Sequence, residues 1–493
     1  ACYRVMLARD ARYDGLFFSC VKTTGIYCRP ICPARAPKPE NCLFLPTAAA
    51  AQEAGFRPCL RCRPESSPDL GAWRGSSATV SRALKLIDGG ALDESDVEAI
   101  AERLGVGGRQ LRRLFRRHLG AAPVTVGQTR RVLLAKQLIQ ATDLSMTDVA
   151  LASGFGSVRR FNETFQQLYR RPPSELRRQR AASKPLASGL NLTLPYRPPY
   201  DWPAMLDFLA RRAVPGVERI EDGRYIRVIE LEGEVGSIEV GDAPERGALQ
   251  ATVRFPRLAA LPAIIARMRR LFDLSADPGS IAAALGRDPC LARLVAARPG
   301  LRVPGAWDGF EIAVRAVLGQ QSSVAAATRL AGRLVAALGR PVAERLDLPG
   351  LTHAFPRPER FEAAAIAVLG MPEGRAASLA GLAAAVLADP RLFDPRRALE
   401  EAVDQLCRVP GIGEWTAQYI AMRVLRESDA FLAADVALRR VLAVNGERPS
   451  ARTLLARAEA WRPWRAYAVL HLWTAEAAER PFLPERIDHA LAS

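Results

Sequence analysis

At 493 residues, 49% of them hydrophobic and 25% charged, the chain is long enough for three or four globular domains, and its Ala/Leu/Arg bias favours helix. No run of about 18 uncharged apolar residues appears and the start carries no signal-peptide pattern, so a helix-spanning membrane protein is excluded and a cytoplasmic chain with reduced cysteines is expected. The net charge of +17 is uneven, with +14 in residues 1–190 (30 basic against 16 acidic) and +3 in the remainder (39 against 36), which argues for a polyanionic partner of the N-terminal part.

The first 62 residues hold two short-spaced cysteine pairs, Cys28-Arg29-Pro30-Ile31-Cys32 and Cys59-Leu60-Arg61-Cys62. Such pairs can close a tetrahedral thiolate cage around one Zn²⁺, and a segment of about 65 residues with few large apolar side chains needs a staple of this kind. Spacing alone leaves open a purely structural site and a reactive one. Cys2, Cys20, Cys42, Cys290 and Cys407 lack matching spacings and read as ordinary small residues. The residues ahead of the ligands, Thr23-Thr24-Gly25-Ile26-Tyr27 and Gly55-Phe56-Arg57-Pro58, resemble the N-terminal domain of the bacterial Ada alkylation-response family. That resemblance implies a nucleophilic Cys28 that accepts a methyl group from a DNA methylphosphotriester, with Cys32, Cys59 and Cys62 completing the zinc site. Alkylating one thiolate would take the cage from −2 to −1 and so strengthen binding to a phosphate backbone.

A polar Gly/Pro/Ser-rich break at 66–77 and another at 181–189 enclose residues 78–180, which read as all helix. Val97, Ile100, Ala101 and Leu104 form one apolar stripe before Gly105; Leu111, Leu114 and Phe115 form another after it, a helix-turn-helix pattern. It recurs about 50 residues on, in Met146–Ala150, Ser153-Gly154-Phe155, Phe161, Phe165 and Leu168, beyond an apolar helix at Val132–Ile139. The pair resembles the AraC-type DNA-binding domain; a plain helical bundle is the alternative. Presented residues are Arg109, Gln110, Arg112 and Arg113 on one helix and Arg159, Arg160 and Asn162 on the other. Arg can pair with guanine, Asn with adenine, and adjacent basic groups neutralise phosphate.

Residues 190–300 are mixed: Tyr225–Leu231 and Ala248–Phe255 alternate like strands, and Trp202–Ala213 and Leu261–Leu271 look helical. From about 301 the pattern is helical. In Leu406–Ala417 a helix meets Val409-Pro410-Gly411-Ile412-Gly413 and then a second helix, and Gly411 and Gly413 allow a sharp turn whose free N–H groups can face a phosphate. Asp435, 22 residues past Gly413, opens a further helix, where a carboxylate is favoured. Alone it would read as an N-cap, and Trp415 and Trp473 as core aromatics. Together, from Tyr196–Trp202 to Trp464–Trp473, these features resemble 3-methyladenine DNA glycosylase II (AlkA) of the helix-hairpin-helix superfamily. The resemblance makes Asp435 catalytic and Trp415, Tyr419 and Trp473 the base pocket. Gln320 and Gln321 fall in the DNA-binding loop; Gln321 stands where the family inserts a leucine, and Val436 where a pocket tyrosine can follow the aspartate. No Lys follows the hairpin at a nucleophile position, so a monofunctional glycosylase without lyase activity is expected.

The expected architecture is multidomain and predominantly α. It comprises a small zinc-stapled α/β domain (1–66), an all-α double helix-turn-helix domain (78–180), an α+β subdomain (190–300) and a helical helix-hairpin-helix glycosylase domain (301–493). These 493 residues hold no Pro-Cys-His-Arg motif, so the O6-alkylguanine transferase half usual in the Ada family is not expected. The expected function is a self-methylating sensor and transcription activator fused to a glycosylase for alkylated purines. Its expected cofactor is one Zn²⁺, and its partners are alkylated DNA, promoter DNA and RNA polymerase. A monomer at the nucleoid, with no membrane contact, is expected. Two rivals are a regulator with an inactive glycosylase half and a repair enzyme whose zinc domain is only a structural clamp.

Overall fold

The structure, a computed structural model, describes residues 1–68, 78–177, 189–342, 348–362, 365–366, 369–394, 398–443 and 445–479. Most of the two expected linkers, 69–77 and 178–188, and the last residues, 480–493, lie outside the described residues.

The first unit follows the order α1 (Cys2–Ala8), β1 (Phe18–Val21), β2 (Ile26–Cys28), β3 (Cys42–Leu45), α2 (Ala48–Glu53) and β4 (Arg57–Pro58). Its sheet runs β3-β1-β2-β4, with β1 antiparallel to both neighbours and β4 parallel to β2. That register places Cys28 at the end of β2 opposite Ser19, and Cys59 directly after β4. The core here is small, Phe18, Cys20, Tyr27, Ala48 and Ala51, as expected of a domain that relies on a metal staple.

Eight helices follow: α3 (Ala78–Asp88), α4 (Ala91–Glu94), α5 (Val97–Arg103), α6 (Gly108–Leu119), α7 (Pro123–Ala141), α8 (Met146–Ala152), α9 (Val158–Tyr169) and α10 (Pro173–Arg177). The two expected helix-turn-helix units are α5/α6 and α8/α9. The turns rest on Gly105 (φ 64°) and Gly154 (φ 85°), backbone that side-chain-bearing residues rarely adopt. Asp96 caps α5 and Ser157 caps α9.

A five-stranded antiparallel sheet comes next, β5 (Leu190–Pro195), β6 (Glu218–Glu221), β7 (Arg224–Leu231), β8 (Glu234–Ala243) and β9 (Ala248–Arg254), in the order β5-β9-β8-β7-β6. It is flanked by α11 (Trp202–Ala210) and α12 (Leu261–Leu271). Periodicity in the sequence marks β7, β9 and both helices but not β5, β6 or β8. In β8 the strand pattern is broken by Gly236 and Gly241; at Gly236 a side chain would collide with the Arg254 carbonyl.

Among the described residues the helices that follow are α13 (Pro278–Leu285), α14 (Pro289–Ala297), α15 (Gly309–Leu318), α16 (Val324–Leu338), α17 (Glu373–Ala388), α18 (Leu399–Cys407), α19 (Glu414–Arg423), α20 (Val436–Val441), α21 (Ala451–Ala458) and α22 (Arg465–Glu479). A two-stranded ribbon, β10 (Arg340–Pro341) with β11 (His353–Ala354), interrupts the helical run expected from 301. Ile281, Leu285 and Leu291 of α13 and α14 share one core with Val314, Ile420 and Leu472. A second core joins Phe161 and Phe165 of α9 to Leu192, Tyr225 and Val240 of the sheet, so the second helix-turn-helix unit and the α+β subdomain bury their apolar faces against each other. Among the described residues no helix is long and apolar enough to cross a membrane.

Candidate metal centre and DNA cleft

The sulfur atoms of Cys28, Cys32, Cys59 and Cys62 all lie within 4.8 Å of one another. Four thiolates at the Zn–S distance of about 2.3 Å in a tetrahedron would be about 3.8 Å apart, so the donor set fits one zinc ion. The four share protons when crowded this way. Cys28 is pushed up, first by its hydrogen-bonded neighbour Cys32, while Cys32 is brought down to about 7, first by Cys28. Only a cation in their midst lets all four ionise together. Backbone N–H groups support the cage: Arg29 donates to Cys62 Sγ at 3.4 Å and Arg61 to Cys59 Sγ at 3.3 Å.

Cys59 and Cys62 are buried, the Cys28 sulfur is buried with them although its residue is partly accessible, and Cys32 is the more open member of the cage. Behind the cage, the Arg29 guanidinium is ion-paired to buried Asp14 and donates to the Cys62 carbonyl at 3.2 Å. Lys136 of α7 is fully buried; its ammonium donates to the Cys59 carbonyl at 3.2 Å and to Glu65 at 2.7 Å. The central helix of the helix-turn-helix domain therefore touches the backbone of a metal ligand. None of Asp14, Glu65 or Lys136 stands out in the sequence, because contacts between residues 15 to 77 apart leave no local pattern.

In the C-terminal half, α18, the turn 408–413 and α19 form the hairpin. Gly411 has φ 83°, and a Cβ there would lie 2.1 Å from Ser378 Oγ; Gly413 caps α19 and faces open space. Gln320 braces this turn, donating to the Gly411 carbonyl at 2.8 Å and to Thr416 Oγ1 at 3.2 Å, while Arg375 donates to the Gln320 carbonyl at 2.7 Å. Gln321 sits beside it, exposed, with φ 53°.

Trp415, Tyr419, Asp435 and Trp473 line one cleft of about 1190 Å³. Asp435 is 9% exposed and caps α20. Its Oδ1 accepts from the Leu438 backbone N–H (3.0 Å) and the Trp473 indole (3.2 Å), and its Oδ2 accepts from the Trp415 indole (3.0 Å). Trp415 and Tyr419 stack with centroids 5.4 Å apart and planes 7° apart, and Tyr419 meets Trp473 at 6.3 Å and 47°. The two tryptophans are thus neither ordinary core residues nor independent of the carboxylate.

The cleft also has cations that sequence reading missed. Arg423, four residues after Tyr419 on α19, donates to its hydroxyl at 2.5 Å. Arg212 lies 3.8 Å over the Phe208 ring and Arg423 4.8 Å from the same ring, and all three residues line the cleft. Burial alone would raise the Tyr419 hydroxyl, but Arg423, Arg212 and Arg315 outweigh it and hold it below the usual phenol range. The i, i+4, i+8 spacing of Trp415, Tyr419 and Arg423 was the available signal. His471, on α22, is held down to about 4 by burial in the cleft wall. Val436 lies at 52% exposure.

On the recognition helices Arg109, Gln110, Arg113, Arg160 and Asn162 are exposed. Two of the basic groups have partners within the chain: Arg112 pairs with Glu98 at 2.6 Å and Arg159 with Glu163 at 2.7 Å.

Three family models match the chain: the metal binding domain of Ada over residues 1–65, a helix-turn-helix domain over 100–179, and the AlkA N-terminal domain over 191–308. The chain is 42% identical over 477 residues to the probable bifunctional transcriptional activator/DNA repair enzyme AlkA of Mycobacterium tuberculosis, covering 96% of this chain and 95% of that protein. It is 40% identical over 287 residues to DNA-3-methyladenine glycosylase 2 of Escherichia coli, covering 58% of this chain and 97% of that protein. A solved 3-methyladenine DNA glycosylase from Archaeoglobus fulgidus superposes with a TM-score of 0.52 at 22% identity, over 59% of this chain and 99% of that one, which supports the fold of the C-terminal half.

Proposed function

The chain belongs to the family of bifunctional transcriptional activator/DNA repair AlkA proteins, and from that premise we propose that Asp435 and Cys28 are the two centres of its chemistry. The chain combines a zinc-binding Ada domain, a helix-turn-helix activator and a DNA glycosylase for alkylated bases. The observation that carries the excision reading is the Asp435 carboxylate, nine-tenths buried and oriented by two indole N–H groups that belong to the walls of the same cleft.

A purine alkylated at N3 or N7 already carries positive charge, so it leaves without protonation, and one carboxylate suffices where ordinary glycoside hydrolysis uses two. The N-glycosidic bond breaks with its electron pair going to the base; Asp435 stabilises the oxocarbenium-like sugar and aligns the water that adds to it, releasing a proton. Trp415, Tyr419 and Trp473 receive the flipped base. Gly411 and Gly413 hold the phosphate backbone, and Gln320 and Gln321 contact the duplex beside the hairpin.

In the sensor, the Cys28 sulfur forms a bond to the methyl carbon of a methylphosphotriester, and the phosphodiester leaves with the electron pair of the broken O–C bond. Bound zinc would keep the thiolates deprotonated. The place of Cys28 in the four-thiol cluster supports this role, and the Ada proteins among the relatives make the transfer reading the natural one. Arg109, Arg112, Arg113, Arg159, Arg160 and Asn162 then contact promoter DNA, and the activator works as a monomer with RNA polymerase. The working boundaries are 1–66, 78–180, 190–300 and 301–493. Incubating the protein with methylated DNA tests both centres at once. Release of 3-methyladenine, lost in Asp435→Asn, and a methyl adduct on the Cys28 peptide, lost in Cys28→Ser, are expected. Wild-type release by Asp435→Asn, or a methyl group mapping to Cys290 or Cys407, overturns the respective half.

A further inference from the structure

We propose that Arg82 and Lys85, two residues of the helix-turn-helix half, are positioning residues for base excision: they clamp the end of the helix that carries the base pocket. The inference rests on the assignment of Trp415 and Tyr419 to that pocket.

α19 presents Trp415, Tyr419 and Arg423 on one stripe, and its regular turns stop at Val424. The chain then bends through Arg426, at φ 58°. The carbonyls of Leu425 and Arg426 follow directly on the C-cap Val424, at the negative end of the helix. Lys85 of α3 supplies both donors, to Leu425 O at 2.9 Å and to Arg426 O at 3.1 Å. Next along the chain, Glu427 accepts from Arg82 through both carboxylate oxygens, Nε to Oε1 and Nη2 to Oε2, each at 3.2 Å. The Arg82 and Glu427 side chains are 6% and 15% exposed, so this pair is shielded from solvent screening.

The opposite side of the same segment is tied to the glycosylase. Arg426 pairs with Asp273 at 2.5 Å and donates to Val303 O at 2.8 Å, while Asp273 accepts from the Tyr467 hydroxyl at 2.8 Å. Residues 425–427 are therefore gripped between α3 and the Asp273–Tyr467 pair. Arg423, two residues before the grip, reaches the Tyr419 hydroxyl and also the carbonyls of Pro304 and Gly305. A helix of ten residues moves as a rod of about 15 Å, so a shift at its gripped end is passed to the Trp415–Tyr419 stack and to the indole that orients Asp435. Displacements of about 1 Å in such positioning can cost about 10²-fold in rate.

The clamp is separable from the docking of the two halves. Arg103 pairs with Asp394 at 2.5 Å, Gln137 donates to Thr193 O at 2.8 Å, and the second helix-turn-helix unit shares its apolar core with the sheet. These contacts do not involve Arg82 or Lys85.

The test is single-turnover excision of 3-methyladenine by the full-length zinc-loaded protein carrying Arg82→Ala and Lys85→Ala. The expected result is a rate about tenfold or more below the parent, unchanged affinity for an abasic-site duplex, and faster hydrogen exchange confined to 414–427. Arg82→Lys with Lys85→Arg should restore most of the rate. Glu427→Gln, which breaks the ion pair from the glycosylase side, covers the case in which the alanine variant unfolds, and should also slow excision. Parental rates in the double alanine variant, or in Glu427→Gln if the former is unfolded, overturn the clamp. Parental excision by Asp435→Asn would instead overturn the pocket assignment beneath it.

Discussion

Trp415 donates its indole N–H to Asp435 Oδ2 at 3.0 Å, so the ring that stacks on Tyr419 also fixes the direction of the carboxylate. The bond joins the start of α19 to the cap of α20 and makes the proposed pocket and the proposed catalyst one unit. Trp415→Phe keeps an aromatic face against Tyr419 but leaves Oδ2 without its side-chain donor. A lost hydrogen bond to a buried charged group costs about 1–3 kcal/mol, a factor of about 5–150 if felt in the transition state. Excision should fall by that order in single-turnover assays, while binding to abasic-site DNA stays near the parent. An unchanged rate constant would show that Trp473 and the Leu438 N–H orient the carboxylate alone.

The turn proposed to hold the phosphate is braced by Gln320, through its bonds to the Gly411 carbonyl and Thr416 Oγ1. Gln320→Ala removes both, and a partly exposed neutral hydrogen bond contributes about 1 kcal/mol. The affinity for an abasic-site duplex should weaken about fivefold, read by titration at fixed salt. The chemical step, measured at saturating protein, should be little affected.

Lys136 and Glu65 form an ion pair that is 0% and 1% exposed beside the metal cage. Removing one partner of such a pair leaves a buried uncompensated charge and costs about 3–5 kcal/mol. Lys136→Met should therefore destabilise the zinc domain strongly and release zinc at lower chelator concentration, whereas Lys136→Met combined with Glu65→Gln should be milder. Cys59→Ala or Cys62→Ala should abolish zinc retention outright, since all four thiolates close the cage. Zinc content by metal analysis, with thermal unfolding, checks all four variants. A double variant worse than Lys136→Met would contradict the charge argument.

His471 is 5% exposed and held down to about 4 by burial, against an ordinary value of 6.5. Between those two pH values the unfolded chain binds a proton that the native chain refuses. The stability it contributes is therefore full above about 6.5 and lost progressively as the pH falls toward 4, by up to about 3 kcal/mol. Denaturant unfolding at pH 7 and 4.5 should show a steeper loss for the parent than for His471→Gln, and parallel losses would refute the assignment.

Much of the candidate site is visible in one dimension because its determinants are local. The Cys28/Cys32 and Cys59/Cys62 spacings bring paired thiols to the ends of short strands, and Val409–Gly413 makes a hairpin wherever it is placed. The apolar stripes around Gly105 and Gly154 likewise set two helix-turn-helix units, and Asp435 announces a helix start. The strands β5, β6 and β8 were less legible, since β8 interrupts its pattern with glycines that serve a close backbone approach at Gly236.

Pairings between segments far apart in the chain emerge only from the folded protein. Asp435 meets Trp415 and Trp473 across 20 and 38 residues, and Lys136 meets Glu65 across 71. Arg82 reaches Glu427 across 345 residues, and Lys85 reaches Leu425 and Arg426 across 340 and 341. Helical and strand periodicity encode which face of an element is apolar, not which element will cover it. The choice of partner is made by packing and by the need to satisfy every buried charge, and those act only once the chain has folded.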